Sequence, residues 1–378
     1  MDLSTLRNEI DRIDSQLVQL YEQRMEICSQ VAEYKIENGK KVFDKTREEE
    51  KLARVRSLTH NDFNSQGVTE LFEQIMAMSR KLQYQMLESH GRTGRLPFIP
   101  VENLDTKKAR VVFQGAEGAY SQAAMMRFFG ERIDSIHVDS FRDAMSAIEE
   151  GSAEFAVLPI ENSTAGIVSE IYDLLVEFEN YIVGEQILKI EHCLCAKNDT
   201  KYEDITDVYS HPQALSQCNN FLRNFDFTGI NYSNTAAAAK YVSESDKNNI
   251  AVICSELAAK KYNLKILKRN IQNNNKNTTR FIVISKELAI TSDAQKISLI
   301  FSLPHKTGSL YRVLGRFSMA GLNLTKIESR PIEDSDFSYY FYVDVLGNVN
   351  DEVTLDLICA LSDELPEFEF LGNFHEGK

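Results

Sequence analysis

Arg24 and Lys35 are the residues whose type and spacing first imply chemistry. Leu3, Leu6, Ile10, Ile13, Leu17 and Leu20, then Ile27, Val31 and Tyr34, recur at heptad spacing, and Arg24 takes the seam position between Leu20 and Ile27. A guanidinium does not lose its proton, so on a buried seam it needs an anion. On a helix Lys35 projects about 20° from the same direction, roughly 16 Å further along the axis. Both long side chains can then converge on one small anionic ligand. The plainer alternative is an arginine that snorkels beside a solvated lysine.

A second constellation lies between Arg110 and Ser285. Strand-like runs such as Val111-Val112-Phe113 and Phe155-Ala156-Val157-Leu158 end in small polar stretches, Gly118-Ala119-Tyr120-Ser121 and Pro159-Ile160-Glu161-Asn162-Ser163-Thr164. Exposed backbone N–H groups at such helix starts bind carboxylates or phosphates. Ser210-His211-Pro212-Gln213 with Gln217, and Thr279-Arg280-Phe281, add further hydroxyls and donors. Ser163, Thr164 and Ser210 also read as ordinary N-caps. Gly115 and Gly118 lack dinucleotide-binding spacing and read as a tight turn.

The elements that must carry these residues follow from the pattern. The first helix breaks at Asn38-Gly39-Lys40-Lys41, and Asp44 is placed to cap a second helix that begins Lys45-Thr46-Arg47-Glu48. A third helix uses Val68, Phe72, Ile75, Leu82 and Met86, with Ser79 and Gln83 on its inner face. From Arg110 to Ser285 strands alternate with helices, which predicts an α/β fold with a largely parallel sheet. After Asp293 the order is strand, helix, strand, strand, helix, strand, an α+β ferredoxin-like pattern giving four antiparallel strands with two helices on one face.

Arg7, Arg24, Lys35, Asp44, Arg47, Glu48, Ser79 and Gln83 together resemble the site of the all-helical chorismate mutases, over about residues 1–90. The resemblance implies that Arg24 and Arg7 grip the substrate carboxylates, Lys35 and Gln83 donate to the breaking ether oxygen, and Glu48 holds the ring hydroxyl. Arg47 and Ser79 finish the pocket, and Asp44 orders the second helix or the substrate. Arg7 lies roughly 25 Å from Arg24 along one helix and about 100° round it. The family's intertwined dimer, in which the partner subunit's Arg7 completes each site, therefore implies a homodimer or higher homo-oligomer.

Residues 109–286 resemble the prephenate dehydratases, with Thr279-Arg280-Phe281 as the most specific match and a second lobe near 188–262. The resemblance puts Thr279 at the departing ring hydroxyl, with Ser121, Asn162, Ser163, Thr164, Ser210 and Gln217 orienting the substrate. Arg280 binds or orders a carboxylate. Residues 295–375 resemble the ACT regulatory domain: Gly308, Ser309 and Leu310 with Glu328, Ser329 and Arg330 match its two effector motifs and imply phenylalanine as effector. Ser309 departs from the usual alanine. The alternative for this segment is a dimerisation module without a ligand.

The whole chain bounds these readings. Its 378 residues suffice for two or three domains. A formal charge of −14 argues against nucleic-acid or acidic-membrane partners. No apolar run approaches a membrane span and the polar amino terminus does not read as a signal peptide, so the expected location is cytoplasmic. Six scattered cysteines read as free thiols, and seven histidines form no ligand cluster, so neither metal nor cofactor is expected. Residues 91–108 read as a linker.

The expected architecture is thus multidomain: a three-helix chorismate mutase domain, a two-lobed α/β dehydratase domain and a ferredoxin-like ACT domain. It implies a bifunctional enzyme of phenylalanine biosynthesis that converts chorismate to prephenate and then to phenylpyruvate. A two-lobed solute-binding module with a helical arm is the rival, and it has no use for Thr279-Arg280-Phe281. A mutase fused to a dehydrogenase would need a nicotinamide fingerprint, which is missing from the sequence.

Overall fold

The computed structural model describes residues 2–89, 98–107, 109–332 and 338–377. The chain divides into two compact units, and the last eighty residues contribute to both. Of the predicted linker, 91–97 and 108 fall outside the described residues, and 98–107 include a short strand, Ile99–Val101.

The first unit is helical. Helix α1 (Leu3–Asn38) is capped by the Asp2 carboxylate and stops at Gly39, whose left-handed φ of 62° ends the helix without a Cβ clash. Helix α2 (Lys45–Ser57) starts where Asp44 accepts the Arg47 amide, and α3 (Asp62–Ser89) packs against both. Ala32, Ile36, Val42, Val55, Met76 and Tyr84 are buried among them. The heptad seam is not buried within one chain. Leu3, Leu6, Ile10, Ile13, Leu17, Leu20, Ile27, Val31 and Tyr34 are all exposed, because α3 covers a different stripe of α1 that includes Ala32 and Ile36.

The second unit begins with β1 (Ile99–Val101), β2 (Arg110–Gln114), α4 (Tyr120–Phe129), β3 (Asp134–Val138), α5 (Phe141–Glu149) and β4 (Phe155–Asn162). The chain continues through β5 (Gly166–Ile167), α6 (Ser169–Glu177) and β6 (Tyr181–Lys189) before crossing to a second lobe. That lobe holds β7 (Cys193–Ala196), β8 (Asp207–Ser210), α7 (Pro212–Gln217), α8 (Asn219–Leu222), β9 (Thr228–Asn231), α9 (Thr235–Glu244), β10 (Ile250–Cys254), α10 (Glu256–Lys261) and β11 (Lys265–Lys268). The return strand β12 (Thr278–Ser285) re-enters the first lobe, and β13 (Ala289–Thr291) pairs with β1.

Both lobe sheets are mixed, which corrects the largely parallel expectation. The first runs β3-β2-β4-β12-β6 and the second β11-β7-β10-β8-β9. In each, three parallel strands come from strand-helix-strand crossovers, and antiparallel strands are added where the chain leaves and re-enters a lobe.

The remaining elements are β14 (Lys296–Ser302), α11 (Ser309–Met319), β15 (Asn323–Pro331), β16 (Tyr339–Leu346), α12 (Glu352–Glu364) and β17 (Glu369–Phe374). The strands form a sheet of order β15-β16-β14-β17 within the second unit, whereas α11 and α12 belong to the first. Arg316 of α11 and Glu364 of α12 are therefore part of the helical unit.

Candidate active sites

In the helical unit, α1 and α3 bring Arg24, Ser79 and Gln83 together. The Arg24 guanidinium donates to the Ser79 hydroxyl and lies 3.7 Å from the Cys28 sulfur. Ser79 is 4% exposed and donates to the Ile75 carbonyl at 2.7 Å, which fixes its lone pairs toward Arg24. Gln83 is buried, its amide donates to the Ser79 carbonyl at 3.2 Å, and among the described residues its Oε1 has no hydrogen-bond partner. An orphan buried acceptor is costly unless something donates to it. Among the described residues of one chain Arg24 has neutral hydrogen-bond partners, Ser79 and Cys28.

Lys35 sits one helical stretch further on. Its ammonium donates to the Val42 carbonyl at 2.6 Å, leaving two N–H donors. Burial pulls its pKa down, opposed by the nearby Asp44 and Glu48 carboxylates. Glu48 accepts from Arg80 through both oxygens, at 2.5 and 2.6 Å. Arg7 is exposed near the start of α1, and Arg47 is exposed and paired with Glu50 at 3.6 Å, so neither joins the group in one chain. Arg80 was not singled out in the sequence, although it neighbours Ser79. A cation on an amphipathic helix reads as solvated until its anion partners are known.

The second site is a cleft of about 520 Å³ in the second unit, lined from both lobes. Ala119, Tyr120 and Ser121 come from the start of α4, Asn162 from β4, Thr279 and Phe281 from β12, and Gln217 from α7. Strand pairing sets the key contact: β12 runs antiparallel to β4 with Thr279 opposite Asn162. The Asn162 oxygen accepts the Thr164 and Ala165 amides at 3.0 and 2.9 Å, so its NH2 faces Thr279 Oγ1 at 2.9 Å and Asn277 Oδ1 at 2.8 Å. Thr279 Oγ1 is thus an acceptor from Asn162 and keeps its own proton for the cleft.

Asn277 and His192 complete this network. Asn277 donates to Gln217 Oε1 at 3.2 Å, and His192 Nε2 lies 3.0 Å from the same oxygen. Burial lowers the His192 pKa, so the neutral ring donates through Nε2, while Nδ1 lies 2.9 Å from the Tyr120 hydroxyl, which donates to the Glu191 carbonyl at 2.8 Å. With its oxygen doubly engaged, Gln217 turns its NH2 toward the cleft. Asn277 immediately precedes β12 and was not singled out in the sequence. His192 carried no signal, since a lone histidine before a strand is uninformative.

Several predicted residues lie elsewhere. Arg280 turns to the opposite face of β12, as strand alternation requires, and ion-pairs with Asp344 at 2.7 Å and Glu185 at 3.1 Å. Arg280, read from the sequence as binding or ordering a carboxylate, is not among the residues lining the cleft. Ser210 is fully buried and donates to the Ile253 carbonyl at 2.7 Å, while His211 and Gln213 line the cleft in its stead. Ser163 is exposed, and its hydroxyl accepts the Thr278 amide; Thr164 donates to Asn277 Oδ1 at 3.2 Å, behind the lining. Among the described residues no Lys, Arg, Asp or Glu lines the cleft. Its anion-binding capacity rests on neutral donors and on the open helix start of α4, whose capping residue Ala119 offers no side-chain bond.

The effector-motif residues divide between the units. Gly308 caps α11 with φ 77°, Ser309 accepts from Arg312 at 3.4 Å, and Leu310 is half-buried. Glu328, Ser329 and Arg330 end β15, and Arg330 pairs with Asp173 at 2.8 Å.

Comparison with known proteins matches three family models in chain order: chorismate mutase type II over residues 6–84, prephenate dehydratase over 111–289 and the ACT domain over 297–363. The bifunctional chorismate mutase/prephenate dehydratase of Buchnera aphidicola subsp. Schizaphis graminum is 34% identical over 98% of this chain and 96% of its own length. Among solved structures, prephenate dehydratase from Arthrobacter aurescens in complex with L-Phe is 30% identical, with TM-score 0.65, covering 71% of this chain and 90% of that one. GqqA, described as a novel type of quorum quenching acylase, is 32% identical with the same TM-score, covering 71% of this chain and 98% of that one.

Proposed function

Because the chain belongs to the bifunctional chorismate mutase/prephenate dehydratase family, we propose the following division of labour among its residues. The helical unit rearranges chorismate to prephenate. That reaction is unimolecular, so a protein assists it by holding a compact conformer and stabilising developing charge. Arg24 and the partner subunit's Arg7 grip the two carboxylates. Lys35 has two free N–H donors for the ether oxygen, Gln83 adds its amide, and Glu48 accepts the ring hydroxyl. Ser79 orients Arg24. Asp44 caps α2 and so sets the position of Glu48.

The cleft converts prephenate to phenylpyruvate. The bond between the ring and its carboxylate breaks, its electron pair enters the ring, and the ring hydroxyl leaves with a proton as water while carbon dioxide departs. The proton comes to that hydroxyl along the Thr279 O–H, directly or from water behind it. Asn162 sets the Thr279 lone pairs, and Gln217 and the open start of α4 receive the carboxylates. Arg280 acts from the reverse face of the strand, holding β12 in place. The observation that carries this reading is the Thr279 hydroxyl, bonded as an acceptor and unspent as a donor.

Amide hydrolysis of the kind named for GqqA needs a base to take the threonine proton. Among the described residues Thr279 Oγ1 has only the Asn162 amide as partner, so acylase activity is not part of the proposal. Phenylalanine is the effector, through Gly308, Ser309, Leu310, Glu328, Ser329 and Arg330. The test is a coupled assay: chorismate is supplied, prephenate and phenylpyruvate are followed, and the run is repeated with phenylalanine. Thr279→Ala is expected to let prephenate accumulate, with phenylpyruvate formation down at least about 100-fold and mutase turnover unchanged. Dehydratase turnover preserved in that variant refutes the role of Thr279.

A further inference from the structure

Arg80 is the hub of an ion cluster in the helical unit. Its Nη1 bonds both Glu48 oxygens, and its Nε bonds Glu364 at 3.0 Å. Glu364 accepts in turn from Arg316 at 2.8 Å. Two cations and two anions balance, and their side chains are 6% to 23% exposed, so the cluster is largely withdrawn from water. Arg80 stacks on Phe43, 5.5 Å from the ring centroid. These groups line one cavity of about 270 Å³ together with Ser309 and Arg312. Glu364 ends α12 and Arg316 lies in α11, so both come from the C-terminal segment, whereas Glu48 belongs to the mutase site.

We propose that Arg80 is a positioning residue for Glu48, that Glu364 holds Arg80 in register, and that the C-terminal segment thereby completes the mutase site. The inference rests on the mutase reading of Glu48 given above. A carboxylate oxygen has two lone pairs, and one Nη1 shared between both oxygens engages one lone pair on each. The other lone pairs stay available for a substrate hydroxyl. Without Arg80 the Glu48 side chain regains rotamer freedom. Without the Glu364 charge, Arg80 is held from one side and its fork follows Arg316 no longer. The mutase therefore answers to the placement of α12, 284 positions away in sequence from Arg80.

The test uses the full chain and four proteins: wild type, Glu364→Gln, Arg80→Met and the double variant, with kcat and KM measured separately for chorismate and prephenate. Arg80→Met is expected to raise the chorismate KM about tenfold and Glu364→Gln about threefold. The double variant matches Arg80→Met alone, because the two residues act through one contact. Prephenate kinetics stay within about twofold in all four. Glu364→Gln is isosteric, and it decides the matter if Arg80→Met does not fold. Wild-type mutase parameters in Glu364→Gln overturn the proposal. So do a double variant whose KM change is the product of the single changes, and a parallel loss of both activities. A wild-type chain with no mutase activity refutes the reading of Glu48 itself. An active wild type with an indifferent Glu364→Gln refutes only the coupling.

Discussion

Thr279 and Arg280 are adjacent, yet one faces the cleft and the other an ion cluster, because successive side chains on a strand point to opposite faces. The same logic makes His192 a quiet partner of the chemistry. Through Nε2 it fixes the Gln217 oxygen, and so the direction of the Gln217 NH2. His192→Ala is expected to lower dehydratase kcat/KM about tenfold, while His192→Gln, which keeps a donor near Nε2, restores most of it; equal losses in both variants refute the positioning role. Burial holds the His192 pKa below its ordinary 6.5, so in that window the unfolded chain binds a proton that the folded chain does not. Stability from this group is intact above about pH 6.5 and declines as pH falls toward the folded-state pKa. Thermal melting across pH 5 to 8 is expected to show a steeper acid loss for wild type than for His192→Gln.

At the scale of elements, the cleft depends on how closely two lobes approach. Gly118, with φ 91°, lies in the turn before α4, where an added Cβ would stand 2.6 Å from the Ala258 Cα on α10. Ser255, the cap of α10, donates to the Gly118 carbonyl at 2.8 Å. Gly118→Ala therefore meets both backbone strain and a backbone contact, and the lobes must part to relieve it. Dehydratase kcat/KM is expected to fall at least about tenfold with mutase kinetics unchanged, measured on the same preparation. Beneath the other face of β12, Arg280, Glu185, Lys296 and Asp344 join strands of the dehydratase sheet to β14 and β16. A buried cluster of this kind serves registry between the sheets more surely than stability.

At the scale of the molecule, nine apolar residues from Leu3 to Tyr34 stand exposed at heptad spacing. The homodimer proposed above covers this face with a second copy of the chain, whose Arg7 then completes the proposed mutase site. Leu17→Asp is expected to lower the mass seen by sedimentation and reduce mutase activity more than about tenfold, with dehydratase activity retained; a fully active monomer contradicts the shared site.

Much of this protein was legible locally. The break at Gly39, the cap at Asp44 and the order of strands and helices after Asp293 follow from periodicity and from residues a few positions apart. Asn162 and Thr279 were legible as polar residues at strand ends. Their bond was not, because register across strands is a non-local property. The sheets proved mixed where a parallel pattern was expected, since an apolar strand reads alike in either direction. The turning of Arg280 and Ser210 away from the cleft, and the meeting of Arg80 with Glu364, were decided only in three dimensions. A charge on a helix or strand has no partner in its own neighbourhood of the chain. Which anion it meets depends on the packing of elements hundreds of residues apart.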